Sequence, residues 1–288
     1  VNPDALLFAV CAALFYLLAR GFRRGLTPGL AVALGAVLAI GFLTKLTFLG
    51  LLPGALLGLL ALGAREARRT SRAAALRCLG LGFGVAATPA LLYILVNLLS
   101  SRPAVGVLGN ALSLSGRGSL LHELSYIWQF YLPRLPGQTP YFHGFLTTRV
   151  YWFRGLVGIY GWLDAAFPSW VYRVALIPTG AIFVLFARAL FVSRGVLRSR
   201  LVEALVYVAM GLGVLLIVGS DDYINKAPGE FAEPRYLLPL LVLWGAVLAL
   251  AARGAGRRWG PVAGALIVTL VMAQNLFGQL LDISRYYG

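Results

Sequence analysis

Three charged residues stand out together at positions expected on the outer face: Asp4, Lys45 and Arg235. A carboxylate can take a proton from a hydroxyl, whereas lysine offers phosphate a mobile point charge and arginine a forked pair of donors. Each residue alone has a plainer use. Asp4 suits the first turn of a helix, Lys45 can snorkel to a headgroup, and Arg235 can pair with Glu230 or Glu233. Taken jointly at one membrane level, an acid and two cations suit a lipid-linked phosphate sugar, whose phosphate needs the cations and whose transfer needs the acid. The other polar candidates are weaker. His122 and His143 lie far apart in aromatic surroundings and read as interfacial side chains, and Asp221-Asp222 read as a solvated loop pair. No Walker loop, G-x-S-x-G or H-E-x-x-H motif is present.

The element that must position Lys45 is the apolar stretch Leu30 to Gly63. As one helix it would be about 50 Å long, too long for a hydrocarbon core of about 30 Å. Arg20, Arg23 and Arg24 precede it, and Arg65, Arg68, Arg69, Arg72 and Arg77 follow it. Arginine clusters in short loops mark the cytoplasmic side, so the chain leaves and returns between them as two short spans. Lys45 then sits at the outer apex, where a cation is a functional candidate by default.

Composition agrees with this frame. Of 288 residues 60% are hydrophobic and only 12% charged, which points to a polytopic membrane protein. The net charge of +15 is a topology signal, because fifteen of the arginines fall in four short loops, 20–28, 64–78, 186–201 and 252–259. No compact basic region remains to hold nucleic acid. Cys11 and Cys78 read as unpaired.

The expected fold is all-α, a bundle of about eight spans forming a single membrane domain over 1–288. Ala5 to Ala19 runs inward, the paired short spans follow, and Leu79 to Leu99 returns outward. Val171 to Phe191, Leu201 to Val218, Leu237 to Ala252 and Pro261 to Leu281 complete the set, with 219–236 as an outer loop. Residues 100–170 form an extracytoplasmic interfacial region. Within it Leu120, Leu121, Leu124, Ile127, Trp128 and Tyr131 recur at helical spacing, with Ser119, His122, Glu123 and Gln129 largely on another face. The opening Val1-Asn2-Pro3-Asp4 lacks a methionine and leads straight into an apolar run, which predicts the carboxy-terminal part of a longer protein.

Asn2-Pro3-Asp4 before a span, Gly41-Phe42-Leu43-Thr44-Lys45 closing a short one and Pro234-Arg235-Tyr236-Leu237-Leu238-Pro239 opening a late one resemble the GT-C superfamily of membrane glycosyltransferases. Within it the chain resembles a bacterial family of membrane proteins of unknown function, distantly similar to protein mannosyltransferases and the lipid A aminoarabinose transferase. The resemblance implies transfer from a polyprenyl-phosphate sugar at the outer face, by an inverting displacement. It implies that Asp4 matches a catalytic acidic position that in several members helps hold a divalent metal ion. Lys45 and Arg235, with Tyr236 beside it, would face the carrier phosphate. Two departures accompany it: the superfamily's principal acid would lie upstream of Val1, and Glu233-Pro234-Arg235 stands where a Gln-Gly-Arg-like triplet is expected.

The partners expected are therefore a lipid-linked sugar donor and membrane lipid. Arginine far exceeds lysine, and alanine, glycine and leucine abound, which suggests a bacterial plasma membrane. The rival readings are a transporter or flippase of lipid-linked precursors, using the same cations without making a bond, and a non-catalytic membrane scaffold.

Overall fold

A computed structural model describes residues 3–102, 119–142, 152–160, 165–225 and 234–287. In chain order the helices are α1 (Pro3–Arg24), α2 (Pro28–Thr44), α3 (Leu52–Arg69), α4 (Arg72–Leu99), α5 (Leu120–Tyr131) and α6 (Gly155–Gly158). There follow α7 (Ser169–Val192), α8 (Arg194–Ser199), α9 (Leu201–Asn225), α10 (Leu241–Gly254) and α11 (Gly256–Tyr287). Tight 3-10 turns at Leu46–Leu51 and Pro234–Leu240 lead into α3 and α10. The strands β1 (Ile159–Tyr160) and β2 (Ala165–Ala166) form a two-residue antiparallel ladder, Ile159 opposite Ala166. The fold is all-α in substance. Among the described residues seven helical stretches are long and apolar enough to cross a membrane, and Pro28–Thr44 is a shorter apolar helix.

Local chemistry sets the boundaries. Asp4 lies in the first turn of α1, with Arg23 and Arg24 in its last, both matched to the helix dipole. Thr27 caps α2 by accepting a bond from the Leu30 amide at 3.3 Å, with Pro28 in the first turn. Ser71 caps α4 in the same way, at 3.1 Å from the Ala74 amide. Helix α2 stops at Lys45, whose backbone is extended at φ −160° and ψ 144°.

The chain divides into two units. The first holds Val1–Leu124, Leu201–Asn225 and Tyr236–Val242; the second holds Ser125–Arg200, Lys226–Arg235 and Leu243–Gly288. In the first, Leu7, Leu14, Leu18, Leu34, Phe48 and Leu59 are buried outright. Glycines let α9 lie directly against the Lys45 hairpin. A Cβ on Gly54 would come within 2.5 Å of the Met210 amide nitrogen, one on Gly50 within 2.5 Å of the Val214 Cα, and one on Gly58 within 3.0 Å of Val206. Close approach through small residues is how helices associate in lipid, where apolar surface alone gives little drive.

In the second unit α7 and α11 leave many large apolar side chains exposed, among them Ile177, Val184, Leu266 and Met272. Arg188 donates to the Gly254 carbonyl, and the Phe183 and Trp244 rings lie 6.0 Å apart. Side chains of this kind facing outward are what a hydrocarbon solvent requires.

Two expectations need correction. Helix α9 runs on through Gly219-Ser220-Asp221-Asp222 to Asn225, where the composition predicts a loop from 219. Buried contacts override the turn-like composition, because Ser220 bonds Glu123 and Asp222 is only 6% exposed. The Asp221-Asp222 pair is thus helical, and Asp222 is not solvated. In α5 the amphipathic reading holds for one face only. Leu120, Leu121, Leu124 and Trp128 are exposed, but Ile127 is buried beside Glu123, Tyr126, Gln129 and Phe130. Glu123 and Gln129 go inward and the leucines outward, as a membrane-facing helix demands, while His122 stays exposed.

Candidate functional site

The site grows from the break between α2 and the 3-10 turn. Thr44 turns its hydroxyl back to the Ile40 carbonyl at 2.7 Å, and the next residue leaves the helix. The Phe48 amide then bonds the Lys45 carbonyl at 3.0 Å, and the Phe48 ring packs against Gly41, where no Cβ would fit. The turn is thereby clamped onto the end of the helix it follows, and Lys45 stands at the corner.

Its ammonium meets the Asp4 carboxylate at 2.6 Å, with the two side chains 22% and 12% exposed. The Tyr236 ring, from the start of the second 3-10 turn, lies with its centroid 5.2 Å from the same nitrogen. A carboxylate and an aromatic face thus hold one cation at a half-buried corner, where each is worth more than at a solvated surface. Three of the four residues singled out by sequence, Asp4, Lys45 and Tyr236, are brought together in the first unit. Arg235 is exposed and belongs to the second unit. Asn2, His143, Glu230 and Glu233 lie outside the described residues, and His122 is exposed on α5.

The arginine clusters lie at the opposite end of this unit. Arg65 near the end of α3 donates to the Phe22 carbonyl near the end of α1 at 2.5 Å, so those ends meet. Asp4 and Lys45 are a helix length away from them.

Sequence reasoning missed Glu123. It is only 5% exposed, and its carboxylate accepts a 2.7 Å bond from the Ser220 hydroxyl. The register of α9 indicates where this pair sits. Gly58 faces Val206, Gly54 faces Met210 and Gly50 faces Val214, four residues forward on one element for four back on the other. One more step of that register sets Leu46 against Val218, so the α9 residues just beyond lie at the Lys45 end of the unit. The signal was available: on a helix whose leucines face lipid, the polar face is the inward one. Gln129 follows the same rule, donating to the Thr139 carbonyl at 2.9 Å and accepting from the Tyr141 amide at 3.2 Å.

Among the described residues no group of three or more His, Cys, Asp or Glu side chains is placed to hold a metal ion. Asp4 offers one carboxylate, engaged by Lys45. Cys11 and Cys78 are both buried and unpaired.

The architecture defines a multi-pass helical membrane protein with a polar corner at one end of its first unit. The chain belongs to DUF2142, a family of predicted membrane proteins, whose model matches residues 1–244. No curated protein and no solved structure matches the chain.

Proposed function

We propose that the chain is a membrane glycosyltransferase that moves a sugar from a polyprenyl-phosphate donor to an acceptor at the outer face of a bacterial plasma membrane. The observation that carries this reading is the Asp4–Lys45 pair at 2.6 Å under the Tyr236 ring. Arginine clusters at the far end of the same helices support an extracytoplasmic placement of the pair.

Lys45 attracts the donor phosphate, and the Tyr236 face keeps the ammonium from swinging away. As phosphate takes up the lysine, the Asp4 carboxylate is freed to accept a proton. An acceptor hydroxyl oxygen attacks the anomeric carbon, the bond from that carbon to the phosphate oxygen breaks, and the electron pair leaves with the phosphate. The hydroxyl proton passes to Asp4, and Lys45 offsets the charge gained by the departing phosphate. Attack opposite the leaving group inverts the anomeric centre.

The test is transfer of labelled sugar from a polyprenyl-phosphate donor in membranes carrying the full protein. Lys45→Ala is expected to lower the rate at least a hundredfold, and Asp4→Asn comparably, with membrane insertion unchanged. Transfer at the parent rate in both variants would remove the pair from catalysis. Movement of the intact donor across the bilayer with no transferred sugar would favour a flippase instead.

A further inference from the structure

The second unit contains a cationic position that nothing in the local sequence marks. Arg154 lies just before α6, with its guanidinium carbon 5.1 Å from the centroid of the Tyr172 ring. Tyr172 is itself fixed: it is buried, its hydroxyl donates to the Gly158 carbonyl at 2.8 Å, and it accepts from the Phe167 amide at 3.0 Å. Gln274 of α11 holds the same segment from another side, donating to the Leu156 and Val157 carbonyls at 2.8 and 2.9 Å. Pro234 rests on Gly155, where a Cβ would approach the proline Cβ to 3.0 Å. Arg154 and Arg235 are therefore each the sequence neighbour of one residue of the Gly155–Pro234 contact. The Nε of Arg154 is buried and has no hydrogen-bond partner among the described residues. A stacked guanidinium with an unused buried donor calls for an acceptor.

What lies alongside narrows the choice. Leu156 and Val157, two and three residues past Arg154, form part of the wall of a cavity of about 610 Å³. Trp170 and Val174 of α7, Trp244 of α10 and Phe277 of α11 line it, and nearly all of its surface is carbon. A bare phosphate would make no use of such a cavity, and a neutral lipid would leave the arginine unanswered. We infer that the second unit binds a phosphorylated long-chain lipid, with its phosphate on the forked donors of Arg154 and its hydrocarbon in this cavity. The inference shares a ligand class with the transferase reading but rests on the second unit alone, so its test is binding and not turnover.

The full chain, purified in detergent, is offered hexadecyl phosphate, hexadecanol or inorganic phosphate, and bound ligand is measured by native mass spectrometry and competition. Hexadecyl phosphate is expected to bind at least tenfold more tightly than hexadecanol, and equimolar inorganic phosphate is expected not to displace it. Arg154→Gln should weaken hexadecyl phosphate at least tenfold. Ala175→Phe, which fills the cavity, should weaken both long-chain ligands. Thermal melts of each variant establish folding. Should Arg154→Gln not fold, Arg154→Lys keeps the charge but loses the fork, and a threefold or greater loss in it supports the site.

Parent-like affinity in a folded Arg154 variant overturns the inference, as does parent-like affinity in Ala175→Phe. Displacement by equimolar inorganic phosphate overturns it too, in favour of a bare-anion site. If the Arg154 variants bind normally while Lys45→Ala abolishes transfer, the lipid site fails and the transferase reading stands. If the Arg154 variants lose binding while Lys45→Ala transfers at the parent rate, the lipid site stands and the transferase reading fails.

Discussion

The two units use their glycines and polar groups in different ways. In the first, Gly50, Gly54 and Gly58 let α9 press against the Lys45 hairpin, and the notable side-chain pairs, Asp4 with Lys45 and Glu123 with Ser220, join distant parts of the chain. In the second, the close glycine contacts are those of Gly155 with Pro234 and of Gly254 with the Leu185 carbonyl, while the exposed Gly180 of α7 and Gly245 of α10 have nothing within 4 Å of a built Cβ, and Gln274 bonds two backbone carbonyls beside a cavity. A tightly sutured unit can hold two charges at a fixed spacing. A loosely filled one can admit a hydrocarbon chain. The contrast separates positioning from accommodation within one polypeptide.

The sharpest way to break the contrast is to crowd both units equally. Gly54→Leu must displace the Met210 backbone, so it is expected to destabilise the protein by about 3 kcal/mol or to prevent folding, whereas Gly180→Leu should be near neutral. Thermal melts in detergent compare the two, and similar losses would erase the distinction.

A second, smaller effect tests the charge pair. Lys45→Met or Asp4→Asn alone leaves one half-buried partner without the other, at a cost of roughly 1–3 kcal/mol. The double variant should recover much of that loss, and a coupling near zero in the double-mutant cycle would show the pair to be a surface contact only. The smallest change is expected for Ser220→Ala. It removes one donor from the buried Glu123 carboxylate and should cost about 1–2 kcal/mol by the same melts. No loss there would mean that Glu123 is sustained by other neighbours.

Much of this was legible in the sequence. The apolar runs and arginine clusters marked out the spans, and the lysine interrupting Leu30 to Gly63 marked the corner at which α2 ends. Asp4 and Lys45 were found because a charge in an apolar run is costly and therefore informative. Glu123 and Asp222 were not: the leucine face of α5 implied an inward Glu123 but the residue stood among other polar ones, and nothing local showed that packing would bury Asp222. Arg154 escaped notice for a related reason. It lies in an aromatic-rich segment, and its significance depends on Tyr172, which meets it, and on Pro234 and Gln274, which meet the residues just after it, only in the folded chain.

The brevity of α2 has a consequence of its own. Its 17 residues rise about 26 Å, several ångströms less than the usual hydrocarbon thickness. A bilayer meeting so short a wall thins locally or draws its headgroups inward, at a modest cost for each ångström of mismatch. On the proposed function such a wall would sink a shallow dimple in the leaflet beside Lys45, and a lipid's polar end would descend to the amine instead of the amine reaching up to it.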